Sequence, residues 1–241
     1  MSKALQLPRL ADDPHGPFPP TSKARRSPNG LLAWGGDLHP ERVLKAYQMG
    51  IFPWFEEGQP PLWWSPAPRC VLFPSEVYMS RRTRRRFNSG RYRLTADTAF
   101  DDVISGCAEP RKAEEGTWIT TEMQDAYSKL HRMGFAHSVE VWDEDALVGG
   151  IYGLSIGRIF FGESMFSRAT DTSKIALIAL CRHLEHESHG LLDCQVGNPH
   201  LYRMGARDVD RKPFEQLLDQ LIDVPSVTGP WTGVFHLDKR W

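Results

Sequence analysis

The segment HSVEVWDEDALVGGIYGLSIGRIFFGESMFS, residues 137–167, decides the fold because it reads as a run of consecutive β-strands. Turn-forming residues at Asp143–Asp145 and Ser155–Gly157 divide the run, so we predict a meander of neighbouring strands. The sequence after this run contains both helical and strand patterns. The chain is therefore predicted to mix α-helices with β-strands.

Three elements are predicted directly after the meander. Residues 170–190 have the pattern of an amphipathic helix, which Gly190 ends. The apolar sequence LLDCQV, residues 191–196, follows as a buried strand, and residues 200–206 follow as a short helix.

The N-terminal part of the chain has a different character. Residues 1–27 are Pro-rich and weakly patterned, which predicts an irregular arm. A helix is predicted over about 40–49, with Asp37 as its N-cap. The segment EEGQPPLWWSPAPR, residues 56–69, contains four prolines and reads as a junction rather than a helix.

The predicted fold class is α+β, with a small N-terminal mixed α/β domain at 1–69 and a larger domain at 70–241. Between the junction and the meander, strands are predicted at 69–73 and 91–96 and helices at 79–87, 100–109 and 121–134.

Composition places the chain among ordinary globular proteins, with 241 residues, 41% hydrophobic and 24% charged. No apolar run approaches the roughly 20 residues that cross a bilayer, and the N-terminus lacks the apolar core of a signal peptide. The four cysteines are dispersed and form no C-x-x-C motif. This pattern disfavours a disulfide framework or a zinc site and predicts a reduced, cytoplasmic protein without a metal.

Positive charge is concentrated in one segment although the net charge is only −1. Residues 81–93 hold seven arginines and no acid, with Phe87 and Tyr92 among them. A solvated helix face is one interpretation, but the density of arginines favours binding to a phosphate backbone. The candidate residues on the predicted helix are Arg81, Arg82, Arg84, Arg85 and Arg86.

The strand LLDCQV carries two polar residues, Asp193 and Gln195, which are two positions apart and should share one face. Burying such groups without partners costs about 1–3 kcal/mol each. The pair is therefore either a satisfied hydrogen-bond pair of the core or a catalytic pair at a strand end. Cys194 lies between them and should point to the other face as a structural thiol.

Other polar and aromatic positions leave alternatives open. Glu163 lies in the apolar sequence IFFGESMF, either at a solvated hairpin end or as the partner of an amine in an apolar pocket. Trp54 and Trp118 are either core residues or stacking platforms for bases. Three histidines of one predicted helix, at 183, 186 and 189, lack a metal-binding pattern and are expected on its solvent face.

Seven segments occur in order along the chain: GLLAWGGDLHPERVLKAYQMGIFPWF, WWSPAPR, EEGTWIT, HSVEVW, LVGGIYGL, FFGESMFSR and LLDCQVGNPHLYRMGA. Together they resemble the leucyl/phenylalanyl-tRNA–protein transferase family over about residues 28–215. The resemblance implies transfer of Leu or Phe (also Met) from aminoacyl-tRNA to proteins with N-terminal Arg or Lys, which marks them for N-degron degradation. It also implies an acetyltransferase-like (GNAT-like) C-terminal domain.

The resemblance implies roles for individual residues as well. It makes Asp193 and Gln195 the catalytic pair. The candidate arginines of residues 81–86, identified from their charge, suit its RNA donor as a tRNA-binding surface. The implied substrate-binding residues are Trp54, Trp118, Glu163, Tyr47, Ile151 and Ser167. No cofactor, metal or membrane is implied.

Two rival functions differ from this one in their sequence requirements. An acyl-CoA N-acyltransferase needs a Gly-rich pyrophosphate loop before a helix, which GESMFSRATDTSK, residues 162–174, does not provide. A non-catalytic RNA-binding module would need the arginines but not Asp193 and Gln195. For a transferase, we expect the Gln195 side-chain oxygen to accept a hydrogen bond from the attacking amine. Asp193 would then orient Gln195 or attract the charge forming on nitrogen.

Overall fold

A computed structural model describes residues 7–112, 118–225 and 228–235 and confirms the predicted α+β class. The helices are α1 Pro40–Gln48, α2 Arg81–Phe87, α3 Phe100–Lys112, α4 Thr121–Arg132, α5 Thr172–His186, α6 Pro199–Arg203 and α7 Arg211–Ile222. The strands are β1 Arg9–Leu10, β2 Leu31–Gly35, β3 Phe52–Pro53, β4 Leu62–Trp64, β5 Arg69–Leu72, β6 Tyr92–Ala96, β7 Ala136–Asp143, β8 Ala146–Ile156, β9 Ile159–Ser167, β10 Leu191–Gln195 and β11 Arg207–Val209. Among the described residues, none of the helices has both the length and the apolar character needed to cross a membrane.

The strands form two sheets. A four-stranded sheet has the order β1-β2-β4-β3, and a seven-stranded sheet has the order β11-β5-β10-β9-β8-β7-β6. Every strand of the smaller sheet precedes residue 69, where β5 of the larger sheet begins. The domain boundary between 69 and 70 stays a prediction.

The meander forms as predicted from β7, β8 and β9, which pair antiparallel with one register shift in each pairing. Its second turn lies slightly later than expected, because β8 continues to Ile156. Gly157 makes that turn with a φ of +59°, and a side chain there would collide with the backbone of Leu221 in α7. Glycine is thus required both by the backbone conformation and by the close approach.

Strand β10 joins the meander to β5. It runs parallel to β9, which is possible because α5 connects the two strands across one face of the sheet. Its other neighbour is β5, with Asp193 opposite Val71 and Gln195 opposite Cys70. The register therefore shifts between Asp193 and Gln195, and Gln195 has a φ of +61°. The bulge interrupts the regular alternation of the strand. That both side chains share one face stays a prediction, and the Gln195 side chain reaches Glu163 of β9.

The larger sheet is covered on both faces. Helix α5 packs its apolar residues on one face, and α3 and α4 pack on the other. His183 of α5 is 1% exposed and contacts Trp231. The prediction of a solvent face is therefore wrong for His183, because the C-terminal segment packs over this part of the helix.

Two N-terminal predictions also need correction. The N-cap of α1 is His39 rather than Asp37, whose Oδ1 instead accepts hydrogen bonds from the His39 backbone N–H and from Arg42 Nε. The arm and the junction are not wholly irregular, because β1 belongs to the arm and β4 to the junction. Pairing with β2 gives both segments backbone partners that their own sequences do not reveal.

Candidate active site

A pocket of about 420 Å³ opens where β9 and β10 meet the N-terminal part of the chain. It brings together five of the predicted site residues: Trp54, Trp118, Ile151, Glu163 and Gln195. The sequence analysis missed most of its apolar wall, which includes Phe52, Met165, Leu177, Leu192 and Leu201. These residues read as ordinary core positions, so no local signal distinguished them.

Asp193 forms a buried ion pair instead of lining the pocket. Its Oδ1 accepts a hydrogen bond from Arg69 Nε at 2.8 Å, and its Oδ2 accepts one from Arg69 Nη2 at 2.7 Å. Arg69 also donates to the Gly50 carbonyl, and its guanidinium lies 4.9 Å from each of the Phe52 and Phe214 rings. The sequence analysis missed Arg69, although a charge at the start of an apolar strand was a possible signal.

The same carboxylate fixes the backbone of Gln195. Asp193 Oδ1 accepts a hydrogen bond from the Gln195 backbone N–H at 2.9 Å. This contact supports a left-handed backbone conformation that is unfavourable for a residue with a side chain. The geometry matches an orienting role for Asp193, and Arg69 neutralises the charge that would attract a cation.

The Gln195 side chain enters the pocket with one end already bound. Its Nε2 donates to Glu163 Oε1 at 2.7 Å. No side chain or backbone group in the described part of the chain donates to its Oε1. The amide is therefore held in one orientation, with its carbonyl oxygen able to accept a hydrogen bond from a ligand.

Glu163 lies inside β9, so the interpretation as a solvated hairpin end is wrong. Its Oε1 accepts a hydrogen bond from Tyr47 Oη at 2.6 Å, and its Oε2 accepts one from Tyr127 Oη at 3.0 Å. Burial raises the pKa of Glu163 to about 7, although the hydrogen bonds from Tyr47, Tyr127 and Gln195 act in the opposite direction. The carboxyl group therefore exchanges a proton near neutral pH.

Two tyrosines form the floor beneath Glu163. Tyr47 from α1 and Tyr127 from α4 are fully buried, and their hydroxyl oxygens are 2.5 Å apart. Burial and the nearby Glu163 charge raise the pKa of both phenols well above the ordinary value, so both remain donors. Tyr47 thus contacts Glu163 but does not itself line the pocket. Tyr127 was missed because its helical spacing indicated only a core position.

The predicted stacking residues lie at the pocket wall. Trp54 is 42% exposed, and its ring centroid is 5.5 Å from that of Trp64. Trp118 is half-buried. Ser167 is not brought to the pocket: it is exposed, and its Oγ accepts a hydrogen bond from the Ser173 backbone N–H at the start of α5.

The arginines of α2 divide into two groups. Arg86 donates to Asp171 and Arg82 lies 3.6 Å from the same carboxylate, so these two tie α2 to the N-terminus of α5. Burial raises the pKa of Asp171, but Lys174 and these arginines hold it below its ordinary value. The others, Arg81, Arg84 and Arg85, are exposed. Arg82 is exposed as well, so four arginines of this short helix face solvent, and Arg82 also contacts Asp171.

Comparison with known proteins identifies the family of this chain. The model of the leucyl/phenylalanyl-tRNA protein transferase family matches residues 71–219, and the model of its N-terminal domain matches residues 36–67. The chain belongs to the leucyl/phenylalanyl-tRNA protein transferase family. A transferase of this name from Stutzerimonas stutzeri is 57% identical over 87% of this chain and 92% of its own. Another from Nitrosomonas eutropha is 52% identical over 93% of this chain and 94% of its own.

The solved structures that this transferase resembles are much less similar to it than the sequence relatives are. "The structure of L-PGS from Bacillus licheniformis" aligns with 80% of this chain and 73% of that chain, at 11% identity and a TM-score of 0.43. A GCN5-related N-acetyltransferase from Kribbella flavida aligns with 67% of this chain and 58% of that chain, at 9% identity and a TM-score of 0.38. TM-scores this low do not support a functional relationship with either protein. Within the described ranges of the chain, no group of three or more His, Cys, Asp or Glu could hold a metal ion.

Proposed function

We propose that this aminoacyltransferase moves Leu or Phe, and also Met, from aminoacyl-tRNA to proteins whose first residue is Arg or Lys. One observation carries the proposal: the Gln195 carbonyl oxygen is held in an apolar pocket beside two tryptophans, and its amide nitrogen is fixed by Glu163. Such an acceptor suits an amine that attacks an ester. No cofactor is required, because the aminoacyl ester is already activated.

The reaction joins the acceptor nitrogen to the aminoacyl carbonyl carbon and breaks the bond from that carbon to the ribose oxygen. One amine proton finally resides on the released ribose hydroxyl. The acceptor amine has a reference pKa of roughly 7.7–8.0, so a sizeable fraction is neutral near pH 7. Gln195 Oε1 accepts a hydrogen bond from this amine and aims its lone pair, and such alignment supplies several kcal/mol.

Asp193 acts through the backbone of Gln195. Its buried pair with Arg69 makes it a fixed anchor, and its hydrogen bond to the Gln195 N–H supports the positive φ that turns the side chain into the pocket. The alternative, in which Asp193 attracts the charge on nitrogen, is not favoured, because both carboxylate oxygens are bound by Arg69 in a buried ion pair.

Glu163 holds the Gln195 amide and lies close to the reacting amine. When ionised it attracts a protonated amine into the pocket, and with a pKa of about 7 it can also take up a proton. Tyr47 and Tyr127 fix its position through their hydroxyl groups.

The remaining pocket and the surface fit an aminoacyl-tRNA donor. The apolar wall, with Ile151 and Met165, accommodates a Leu or Phe side chain, and Trp54 and Trp118 stack on the terminal base. The exposed arginines of α2 bind the phosphate backbone of the tRNA body. Acceptors modified in this way are marked for N-degron degradation in the cytoplasm.

A transfer assay tests this function. Labelled Leu-tRNA and Ile-tRNA are each mixed with peptides that differ only in starting with Arg or Ala. We expect label to move from Leu-tRNA to the Arg peptide, and RNase treatment of the donor should abolish it. Equal labelling from Ile-tRNA or of the Ala peptide would contradict the proposed specificity, and no labelling would contradict the function. Uptake of an acyl group from acyl-CoA would favour the rival acyltransferase.

A further inference from the structure

The loop between β10 and α6 forms one rim of the pocket and has an exposed tyrosine packed behind it. Val196, Gly197 and Asn198 line the pocket directly after Gln195. A Cβ on Gly197 would lie only 2.0 Å from Tyr202 Oη. Glycine at this position therefore lets the phenol of Tyr202 lie directly against the rim.

Asp208 of β11 holds this phenol in place. Tyr202 Oη lies 3.0 Å from both Oδ1 and Oδ2 of Asp208. The hydrogen bond to Asp208 raises the pKa of Tyr202, because a phenolate would lose the bond and face a negative charge. Tyr202 is 44% exposed and Asp208 is also exposed. The two residues thus present a neutral aromatic ring and a carboxylate to solvent at the rim.

Sheet register places Asp208 close to Gln195. Asp208 pairs with Cys70 of β5, and Cys70 pairs with Gln195 of β10. Two strand spacings separate the backbones of Asp208 and Gln195 by about 10 Å. An extended arginine spans about 7 Å from its α-nitrogen to its guanidinium carbon. With a hydrogen bond of about 3 Å at each end, an acceptor that begins with arginine covers about 13 Å. This exceeds the backbone separation and allows for the Gln195 side chain, which turns toward Glu163 of β9.

Basic residues lie along α6 and at the start of α5. Burial lowers the pKa of His200 in α6, and the positive charges of Lys174 and Arg203 lower it further. Lys174 shares the Asp171 carboxylate with Arg86, which connects these residues to the arginines of α2. A polyanionic donor is attracted to these basic residues, whereas Asp208 offers a carboxylate to a cationic acceptor.

We propose that Tyr202 and Asp208 form the subsite for the basic side chain of the acceptor's first residue. The inference rests on the proposed function and assigns its acceptor specificity to a defined pair. Asp208 supplies the opposite charge, and the Tyr202 ring packs against the aliphatic stem or stacks on the guanidinium. Glu163 is a different carboxylate near Gln195, but it lies within the pocket among three hydrogen-bond donors.

The test compares two acceptor peptides that differ only in their first residue, arginine or its neutral near-isostere citrulline. The readout is the ratio of the two kcat/KM values with one aminoacyl-tRNA donor. We expect Asp208→Asn to lower the ratio about two- to fivefold, the effect of one exposed ion pair. Tyr202→Phe keeps the ring and removes the anchoring bond, so its ratio should fall about two- to threefold.

Asp219→Asn is the matched control, because it removes the same charge from an exposed position of α7. That helix ends at the opposite end of the sheet, where Arg158 N donates to the Leu221 carbonyl. Its ratio should equal that of the unmodified protein.

The outcomes separate this inference from the proposed function. A general fault in the loop would slow both peptides equally, so an unchanged ratio in Asp208→Asn overturns the subsite. Equal use of arginine and citrulline by the unmodified protein also overturns it, although transfer itself stands. Absence of transfer to either peptide overturns the proposed function, and the subsite with it.

Discussion

At the scale of single residues, the polar groups at the end of β10 differ in whether they already have hydrogen-bond partners within the protein. Both carboxylate oxygens of Asp193 accept hydrogen bonds from Arg69, and the amide nitrogen of Gln195 donates to Glu163. Only the Gln195 carbonyl oxygen then remains for a substrate amine. Predictions about the chemistry therefore concern this amide and the carboxyl group that holds it.

Replacing Gln195 by Ala should lower kcat/KM for transfer at least tenfold, because the amine loses the acceptor that aligns it. Affinity for tRNA should remain close to that of the unmodified protein, since tRNA binding depends on other surfaces. Single-turnover transfer and filter binding of tRNA measure the two quantities. Asn198→Ala, at the pocket rim, is a control for loop damage. A folded Gln195→Ala protein that transfers at the full rate would show that the amide is structural.

The raised pKa of Glu163 predicts that the folded protein loses stability as pH rises. The folded state keeps a proton on this group up to about pH 7, whereas the unfolded chain releases it near the ordinary value of 4.5. Between these pH values the free energy of unfolding should fall by about 3 kcal/mol through Glu163 alone. Glu163→Gln cannot ionise, so it should become progressively more stable than the unmodified protein as pH rises.

Urea unfolding at pH 5, 6, 7 and 8 measures this difference between the two proteins. The exposed Glu122→Gln, on α4, should show a constant difference across the range. A constant difference for Glu163→Gln as well would mean that Glu163 has an ordinary pKa in the folded protein.

At the scale of elements, the two turns of α2 carry both arginines that bind α5 and arginines that are exposed to solvent. Ser80 caps the helix, and Arg82 and Arg86 bind the α5 terminus through Asp171. The exposed arginines are therefore held on a fixed helix rather than on a loose segment. Such a helix should act on the donor by electrostatic attraction, with little dependence on which amino acid is attached.

Replacing Arg84 and Arg85 together by Ala should weaken tRNA binding and make it less sensitive to salt. Each phosphate contact contributes roughly 0.7–0.9 to the log–log slope of affinity against salt, so the slope should flatten by up to about two. Salt titrations of tRNA binding measure the slope. Arg132→Ala with Lys212→Ala removes the same charge from exposed positions elsewhere and should keep the original slope. Parallel slopes for all three proteins would place the tRNA path away from α2.

At the scale of the whole molecule, a segment beyond residue 219, where the family match ends, completes the core. Trp231 is 7% exposed and stacks on His137 with a centroid distance of 4.1 Å. Its backbone N–H donates to Asp97, whose carboxylate also contacts His137 and the Ser138 N–H. The C-terminal segment therefore contributes to folding stability rather than only extending the chain.

Trp231→Ala should lower the free energy of unfolding by about 3 kcal/mol, because it removes a large buried ring and leaves a cavity. Val234→Ala is the control in the same segment, since Val234 is 62% exposed and should change stability by less than about 0.5 kcal/mol. Denaturant titrations measure both. Equal stabilities of the two variants would show that the Trp231 contacts contribute nothing to folding.

Local pattern was sufficient for most elements and for several site residues. Apolar periodicity predicted the meander, α4 and α5, because burial of one face repeats at a spacing that the sequence records. The family resemblance, confirmed by the comparisons, also indicated five of the residues that line the pocket. The polar pair in LLDCQV stood out because carboxylates and amides rarely occur in a buried strand without a reason.

Only the tertiary structure decided how those residues are used. Arg69 and Asp193 are 124 positions apart, and Tyr47 and Glu163 are 116 apart, so no spacing rule joins either pair. The bulge between Asp193 and Gln195 depends on pairing with β5, and the burial of His183 depends on Trp231. The sequence by itself determined most helices and the strands of the meander, because those preferences are local, but it did not indicate α7 or the short strands of the smaller sheet. The pKa of Glu163 and the orientation of Gln195 arise from contacts between distant segments, which exist only after the chain has folded.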